Sequence, residues 1–399
     1  MVKVAEGSHE LVERAEKLVP LLREHAARAD TERRIPDEVI NALIEAGIFR
    51  AWTPKRYGGF EIDPVSHFEM TTHLSRGCSS TGWTVAMMTT TTWMACSLPD
   101  KGQDEIFGAD PEARFVGLFT PSDEPARKVD GGYVISGSKP FATGCLWATW
   151  AEVPVAVVDD NGELENVYWM FFPMSEATIE DTWYTMGLRG TASGTVHFKD
   201  IFIPEHRTIA MLGPQGAMGG YTRNEHPDET LYRAQISMIA RECFTGSVVG
   251  VAKHALEHVL KKLPKRGIQY GPYTNQSEAT PTHLQIADAS RLIDSAELHA
   301  RRAAEDTWKV AESGVYPTDP HLRVRSGNDS TFAIRTAKEA IDRLSYITGA
   351  SSIAEGNPLE RMLRDAATGT LHGLARVDAT TELLGSYLCG QEPHGSIVF

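Results

Sequence analysis

Near the end of this 399-residue chain, Arg361-Met362-Leu363-Arg364-Asp365 is followed by Leu371-His372-Gly373, in an otherwise mild helical sequence. An imidazole with an ordinary pKa near ~6.5 can take or give a proton at neutral pH. That makes His372 the first candidate for acid/base work, although a lone histidine on a helix is more commonly a solvated or hydrogen-bonded residue. Just upstream, Thr348-Gly349-Ala350-Ser351-Ser352 is a small-residue turn whose backbone can come close to a phosphate. Arg364 is open to two readings, a contact to a bound anion or an ion pair with Asp365 or Glu360. Trp83, Met87, Met88, Trp93 and Met94 form a Met- and Trp-rich stripe. It reads first as helix core and second as the wall of a site for a flat aromatic molecule. His254 and His258 are spaced for one helix face but lack a third metal ligand, and read as a solvated face beside Lys253 and Lys261. The other histidines carry no signal. Gly213, Gly216, Gly219 and Gly220 lack the strand–turn–helix frame of a dinucleotide fingerprint.

These residues must be positioned by the elements around them. From Ser8 to Ile48 the pattern is helical: Leu11, Ala15, Leu18 and Leu22 recur at helical spacing, and Pro20 predicts a kink or break. A second helix starts at Pro36-Asp37-Glu38, carries Val39, Leu43 and Ala46, and stops at Gly47. Helices are also expected over 63–76 and 80–97. From about Arg114 the chain changes character. Short β-rich runs (115–119, 133–136, 152–158, 167–172, 196–203) alternate with turns, among them Asp130-Gly131-Gly132 and Asp160-Asn161-Gly162. Residues 208–229 read as a long connection. Helical segments near 230–262, 282–313, 328–347 and 358–387 suit a four-helix bundle. The expected division is an N-terminal helical domain (1–113), a central β domain (114–210) and a C-terminal bundle (211–399).

At this length more than one domain is expected. A net charge of −14 argues against a general nucleic-acid or anionic-membrane binder. The five cysteines form no CxxC pair, which suits free thiols in a reducing compartment. With no signal-like N-terminus and no apolar run approaching ~20 residues, the expected location is cytoplasmic, without a membrane span.

Three motifs carry a resemblance. They are Glu45-Ala46-Gly47-Ile48-Phe49 with Pro54-Lys55-Arg56-Tyr57-Gly58-Gly59; Gly187-Leu188-Arg189-Gly190-Thr191-Ala192-Ser193 leading into 196–204; and Asn357-Pro358-Leu359-Glu360-Arg361-Met362-Leu363-Arg364-Asp365. In this order the chain resembles the acyl-CoA dehydrogenase superfamily over nearly its whole length. That implies a mainly α fold with a small central β-barrel. Ser79-Ser80-Thr81-Gly82-Trp83, then Ser136 to Gly144, then the histidine eight residues after Arg364, are similar to one branch. This branch is the oxygenase component of two-component (group D) flavin-dependent monooxygenases.

The resemblance implies reduced FMN or FAD from a separate flavin reductase, and O2. A C4a-hydroperoxyflavin would form and oxygenate a small, aromatic substrate, with His372 as acid/base. It places Thr143 near the flavin, where its hydroxyl and backbone N–H both serve as donors. Phe119, Thr120, Phe141 and Gly144 would line the ring, and Arg233, inside the first bundle helix, would face it. Arg266, with Lys265, would reach the phosphate beside Gly349, Ala350, Ser351 and Ser352, and Arg364 is a further candidate. Arg189 and Ser193 are weaker candidates. Trp83, Met87 and Trp93 would face substrate. No metal is expected. Two chains would share each flavin in a homotetramer, a dimer of dimers. Many relatives carry a histidine on the helix after the Ser-Thr-x-Trp motif; here Met87 to Trp93 contains none, which leaves the substrate-orienting group open. The alternative is an acyl-CoA dehydrogenase with tightly bound FAD, in which Glu225 or Glu229 would be the base. A non-catalytic flavin-binding protein is the third reading.

Overall fold

The computed structural model describes residues 7–120, 124–212, 226, 228–315 and 319–391. Five helices come first: α1 (Ser8–Glu32), α2 (Asp37–Glu45), α3 (Pro64–Gly77), α4 (Ser79–Ala95) and the short α5 (Asp100–Gln103). Helix α1 buries Leu11, Ala15, Val19, Leu22, Ala26 and Ala29 at helical spacing. It runs through Pro20 without ending. Pro20 is exposed, on the face away from the core, so the expected break does not occur. Gly47, at φ 72°, turns the chain out of α2 in a left-handed conformation that favours glycine. Asp63 caps α3 by accepting from the Ser66 N–H.

Eight strands follow: β1 (Phe115–Gly117), β2 (Arg127–Val129), β3 (Gly132–Lys139), β4 (Trp150–Val158), β5 (Leu164–Pro173), β6 (Thr178–Glu180), β7 (Thr195–Pro204) and β8 (Thr208–Ala210). They form two four-stranded sheets, ordered β1-β4-β5-β8 and β2-β3-β7-β6. The sheets enclose a core of Ile135, Val153, Val155, Met170, Phe172, Val196 and Phe198. The expected connection at 208–229 thus begins with a strand, and Glu225 lies outside the described residues.

The C-terminal helices are α6 (Ile236–Lys262), α7 (Thr280–Ser313), α8 (Pro320–Thr348), α9 (Pro358–Gly369) and α10 (Val377–Leu388). Helix α8 starts earlier than its apolar pattern predicted, because Asp319 caps it and Pro320 occupies its first turn. The fourth bundle segment is not one helix. It breaks between Gly369 and Val377, and His372 stands in that break. Alanine, valine and leucine on α6, α7 and α8 close-pack to form the bundle core. Among the described residues, no helix is long and apolar enough to cross a membrane.

Candidate active site

Asp365 ties together the three stretches that carried the sequence signal. Its carboxylate, fully buried at the end of α9's second turn, accepts from the Leu188 backbone N–H at 2.6 Å and from the Ser79 hydroxyl. Ser79 opens α4, and Leu188 opens the Leu188–Ser193 turn of the β domain. One carboxylate thereby fixes α4, the β-domain turn and α9 against one another. Burial pushes Asp365 above the usual carboxylate range, and its two hydrogen bonds oppose that shift.

The Leu188–Ser193 turn sets the polarity of Thr143. Leu188 and Ala192 both adopt left-handed backbone, at φ 52° and 47°. The Thr191 hydroxyl donates to the Leu188 carbonyl at 2.9 Å. With that donation made, the Ser193–Thr191 (2.7 Å) and Thr143–Ser193 (2.8 Å) contacts order the hydroxyl hydrogens from Thr143 to Ser193 to Thr191. The Thr143 N–H is also engaged, with the Phe141 carbonyl at 2.9 Å. The expectation that Thr143 supplies two donors is therefore corrected. Both hydrogens point into the protein, and what its hydroxyl oxygen has left to offer is a lone pair.

Around Thr143 the chain forms a crook. Phe141 is held at φ 63° with its ring 64% exposed, braced edge-on by Trp183 at 6.0 Å. Trp183 is anchored by its indole N–H to the Leu188 carbonyl. Gly144, at φ 81°, lies so close to α4 that a Cβ there would stand 2.7 Å from the Met88 sulfur. A projecting aromatic ring beside a close-approach glycine and an ordered hydroxyl chain fits a flat heteroaromatic ring system, so the residues suit a flavin. Phe119 is partly exposed, with its ring over Gly117, and the Thr120 carbonyl accepts from Lys139 at 2.7 Å.

His372 packs against α4 at Trp83. Its ring lies 4.4 Å from Phe244 and 5.9 Å from Trp83, nearly edge-on to the latter. Burial lowers its pKa to about 4, so the ring is neutral at pH 7. Its Nδ1 accepts the Leu374 N–H at 3.2 Å, which places the ring proton on Nε2. Nε2 has no partner among the described residues. His372 thus presents a hydrogen-bond donor, in place of the free base that an ordinary pKa would give. Trp83 is packed beneath it against Gly369, and Met87 follows one turn along α4. Phe244, which nothing in the sequence singled out, completes this wall.

Other expected residues lie elsewhere. Trp93 is buried, and its indole N–H donates to the Leu231 carbonyl, so it is core and not pocket wall. Arg364 makes Glu360, Asp30 and the Met186 carbonyl its partners, using all five of its donors. It pairs with Glu360 but not with Asp365, and keeps no N–H for a phosphate. Arg233 sits in a 3-10 turn ahead of α6 and not inside that helix. Its guanidinium stands beside Gly314, at the negative end of α7. Glu229 is ion-paired with Arg56. Arg189 lies in the 188–193 turn, with a buried Nε that lacks a partner among the described residues. His254 and His258 are half-buried with lowered pKa values, in contrast to the solvated face expected of them.

The phosphate candidates form a second group. Arg266 donates to the Thr348 carbonyl at 2.8 Å and to the Ser351 hydroxyl at 3.3 Å, leaving further N–H groups free. Gly349, Ala350 and Ser351 are exposed beside it, while Ser352 is buried and bonded to Ser345. The Gly349–Ser352 turn precedes α9 and His372 follows that helix's end, so α9, about 18 Å long, lies between them. Arg266 precedes the start of α7 and Arg233 lies at its end. That helix of 34 residues is about 50 Å long. One protomer cannot bring both arginines to one flavin.

Comparison with known proteins agrees with this architecture. The profile "Acyl-CoA dehydrogenase, N-terminal domain" matches residues 9–106, and "Acyl-CoA dehydrogenase, C-terminal domain" matches residues 243–376. The oxygenase subunit HsaA, a flavin-dependent monooxygenase of Rhodococcus jostii, is 31% identical, covering 90% of this chain and 93% of its own. The oxygenase component of an FADH2-dependent resorcinol hydroxylase from a Rhizobium species is 29% identical over 96% of this chain and 95% of its own. The structure of XiaF from a Streptomyces species, in complex with FADH2 and glycerol, superposes with a TM-score of 0.91 at 33% identity, covering 98% of each chain. The chain belongs to the acyl-CoA dehydrogenase superfamily, among the oxygenase subunits of two-component flavin-dependent monooxygenases.

Proposed function

We propose that this protein binds reduced FMN or FAD delivered by a separate reductase and uses O2 to hydroxylate a small aromatic substrate. The observation that carries the reading is the Thr143–Ser193–Thr191 hydroxyl chain, ordered from its anchor on the Leu188 carbonyl. It leaves a lone pair facing the crook, complementary to the N–H that the central ring of a reduced flavin carries and an oxidised flavin lacks. A dehydrogenase that stores oxidised FAD needs the opposite polarity.

Reduced flavin would supply the two electrons and activate O2, one oxygen atom going to the substrate and the other leaving as water. Thr143 holds the ring in its reduced form, and Phe141 with Trp183 bounds it. Trp83, Met87 and Phe244 exclude water from the reacting face. His372, neutral and protonated on Nε2, hydrogen-bonds a substrate oxygen and stabilises the charge that develops there. Its role is that of a donor: with Nδ1 occupied and its pKa lowered, it is poorly suited to carry off a proton. Arg266 and the Gly349–Ser352 turn bind phosphate. A flavin that also touches Arg233 draws on two protomers, which supports a flavin site shared across a dimer, the unit of the dimer of dimers that the resemblance implies. The relatives named as monooxygenase oxygenase components support the same reading, and the absence of a membrane-spanning helix among the described residues suits a cytoplasmic location.

The test is a pair of affinities. The protein should purify nearly colourless and bind reduced flavin at least about tenfold more tightly than oxidised flavin, measured anaerobically, and Thr143→Val should narrow that ratio severalfold. Yellow protein bleached by an acyl-CoA would establish the dehydrogenase instead.

A further inference from the structure

The substrate-orienting group is the part of the site that the motifs leave open, and one buried acid answers to it. Glu152 lies in β4, fully buried, and neither carboxyl oxygen has a hydrogen-bond partner among the described residues. Strand alternation fixes where it points. Ala151, Val153, Val155 and Val157 face the core between the sheets. Glu152 faces outward, in register with Gly117 on β1 and Phe171 on β5. That face is otherwise aromatic, with Phe115, Trp169 and Phe171, and it shares a core with Met88, Trp93 and Met94 of α4. Strand β1 itself packs on α4.

Gly117 leaves the space beside Glu152 without a side chain of its own. The Phe119 ring fills it, and that ring is 41% exposed. The buried acid therefore stands behind Phe119, the side chain that the resemblance lays along the flavin ring. Three more buried polar atoms lack partners among the described residues along the same seam between α4 and the β domain: Thr84 Oγ1, Thr120 Oγ1 and Trp147 Nε1. Native proteins seldom leave such groups unpaired, and concentrations of them mark sites that a ligand or water completes. On α4, Thr89 to Thr92 do not supply the missing donor. Thr89, Thr90, Thr91 and Thr92 each give their hydroxyl hydrogen to a carbonyl about one turn back. Burial keeps the Glu152 carboxyl far above its usual range, so it is neutral and can both donate and accept.

We propose that Glu152 orients the aromatic substrate, its carboxyl group accepting a hydrogen bond from a ring O–H or N–H that enters between α4 and the Gly117–Phe119 strand end as Phe119 turns aside. The proposal rests on the monooxygenase reading only for the aromatic class of the ligand.

Calorimetric titration of the full-length protein tests it with two probe pairs, phenol against anisole and indole against 1-methylindole. The wild type should favour each donor over its methylated partner by about tenfold or more. Glu152→Gln, which keeps an acceptor, should retain most of that preference. Glu152→Leu should abolish it and raise Tm, because an unpartnered acid leaves the core. Should the leucine variant fail to fold, Glu152→Met carries the same comparison. A preference that survives in the apolar variant, or a wild type that shows none, overturns the assignment. Mixing the same proteins with reduced flavin and O2 separates the two claims. If the wild type gives no oxygenated-flavin absorbance, the monooxygenase reading fails and the probe preference still decides the role of Glu152.

Discussion

The two ends of the candidate flavin site are built differently. At the ring end the fold aims three polar groups in advance. Thr143 donates inward through Ser193 and Thr191, His372 is fixed in one tautomer by Leu374, and Asp365 locks the turn beneath them. At the phosphate end the groups are loose. Arg266 makes two hydrogen bonds and keeps donors in hand, and Gly349 to Ser351 are exposed. Pre-set polarity controls what a bound molecule can do, because a group already aimed needs no reorganisation when charge develops. Spare cationic donors add affinity without discriminating between states of the ring. The ring end should therefore govern the fate of oxygen, and the phosphate end how tightly flavin is held.

The comparison breaks most severely at Asp365. Asp365→Ala leaves the Leu188 N–H buried and unsatisfied, at a cost of about 1–3 kcal/mol. It also releases the turn that aims Thr143. Thermal denaturation should show Tm lower by several degrees, and product per reduced flavin consumed should fall more than about tenfold.

A smaller effect sharpens it. Arg266→Ala should weaken reduced-flavin binding by about tenfold, the scale of a lost charge-assisted contact, while product yield at saturating flavin stays unchanged. Arg364→Gln, by contrast, should lower stability and leave flavin affinity within about twofold, since its donors already serve Glu360, Asp30 and Met186. Anaerobic titration and denaturation on the same samples distinguish the two arginines.

The smallest effect is on pH. His372 is depressed from 6.5 to about 4 by burial. Its neutral form contributes stability that is complete above about pH 6.5 and is lost as pH falls through about 4. The ring does not change charge between pH 5.5 and 8, so the fraction of flavin turnover yielding product should be flat across that range. A step near pH 6.5 in coupling, absent from His372→Ala, would show an ordinary imidazole acting as a base.

Much of this was legible in the sequence. Two of the three superfamily motifs and the Ser-Ser-Thr-Gly-Trp run marked the Asp365 junction, because its partners are Ser79, in that run, and Leu188, in the Gly-Leu-Arg-Gly run. The strand runs and the turns at Gly47 and Gly131 were readable from local chemistry. What could not be read depends on contacts far apart in the chain. The direction of the Thr143 hydroxyl is set by a serine 50 residues away, and Arg364 is saturated by Asp30, 334 residues away. The break at Gly369–Val377 hid inside a continuous helical pattern, yet it is what frees His372 to take its Nδ1 contact. Trp93 and Trp83 share one stripe, but only Trp83 meets Phe244 and His372. Glu152 gave no motif at all, since a lone acid in a β run reads as an exposed strand position.

The most direct test of the division is a single stopped-flow comparison of wild type, His372→Ala and Arg266→Ala, each saturated with reduced flavin, mixed with O2 and an aromatic substrate found by screening, with product and H2O2 measured from the same shots. Arg266→Ala should match the wild type in product, and His372→Ala should still show the oxygenated-flavin absorbance while releasing most of its oxygen as H2O2. Full coupling in His372→Ala, together with uncoupling in saturated Arg266→Ala, would contradict the account.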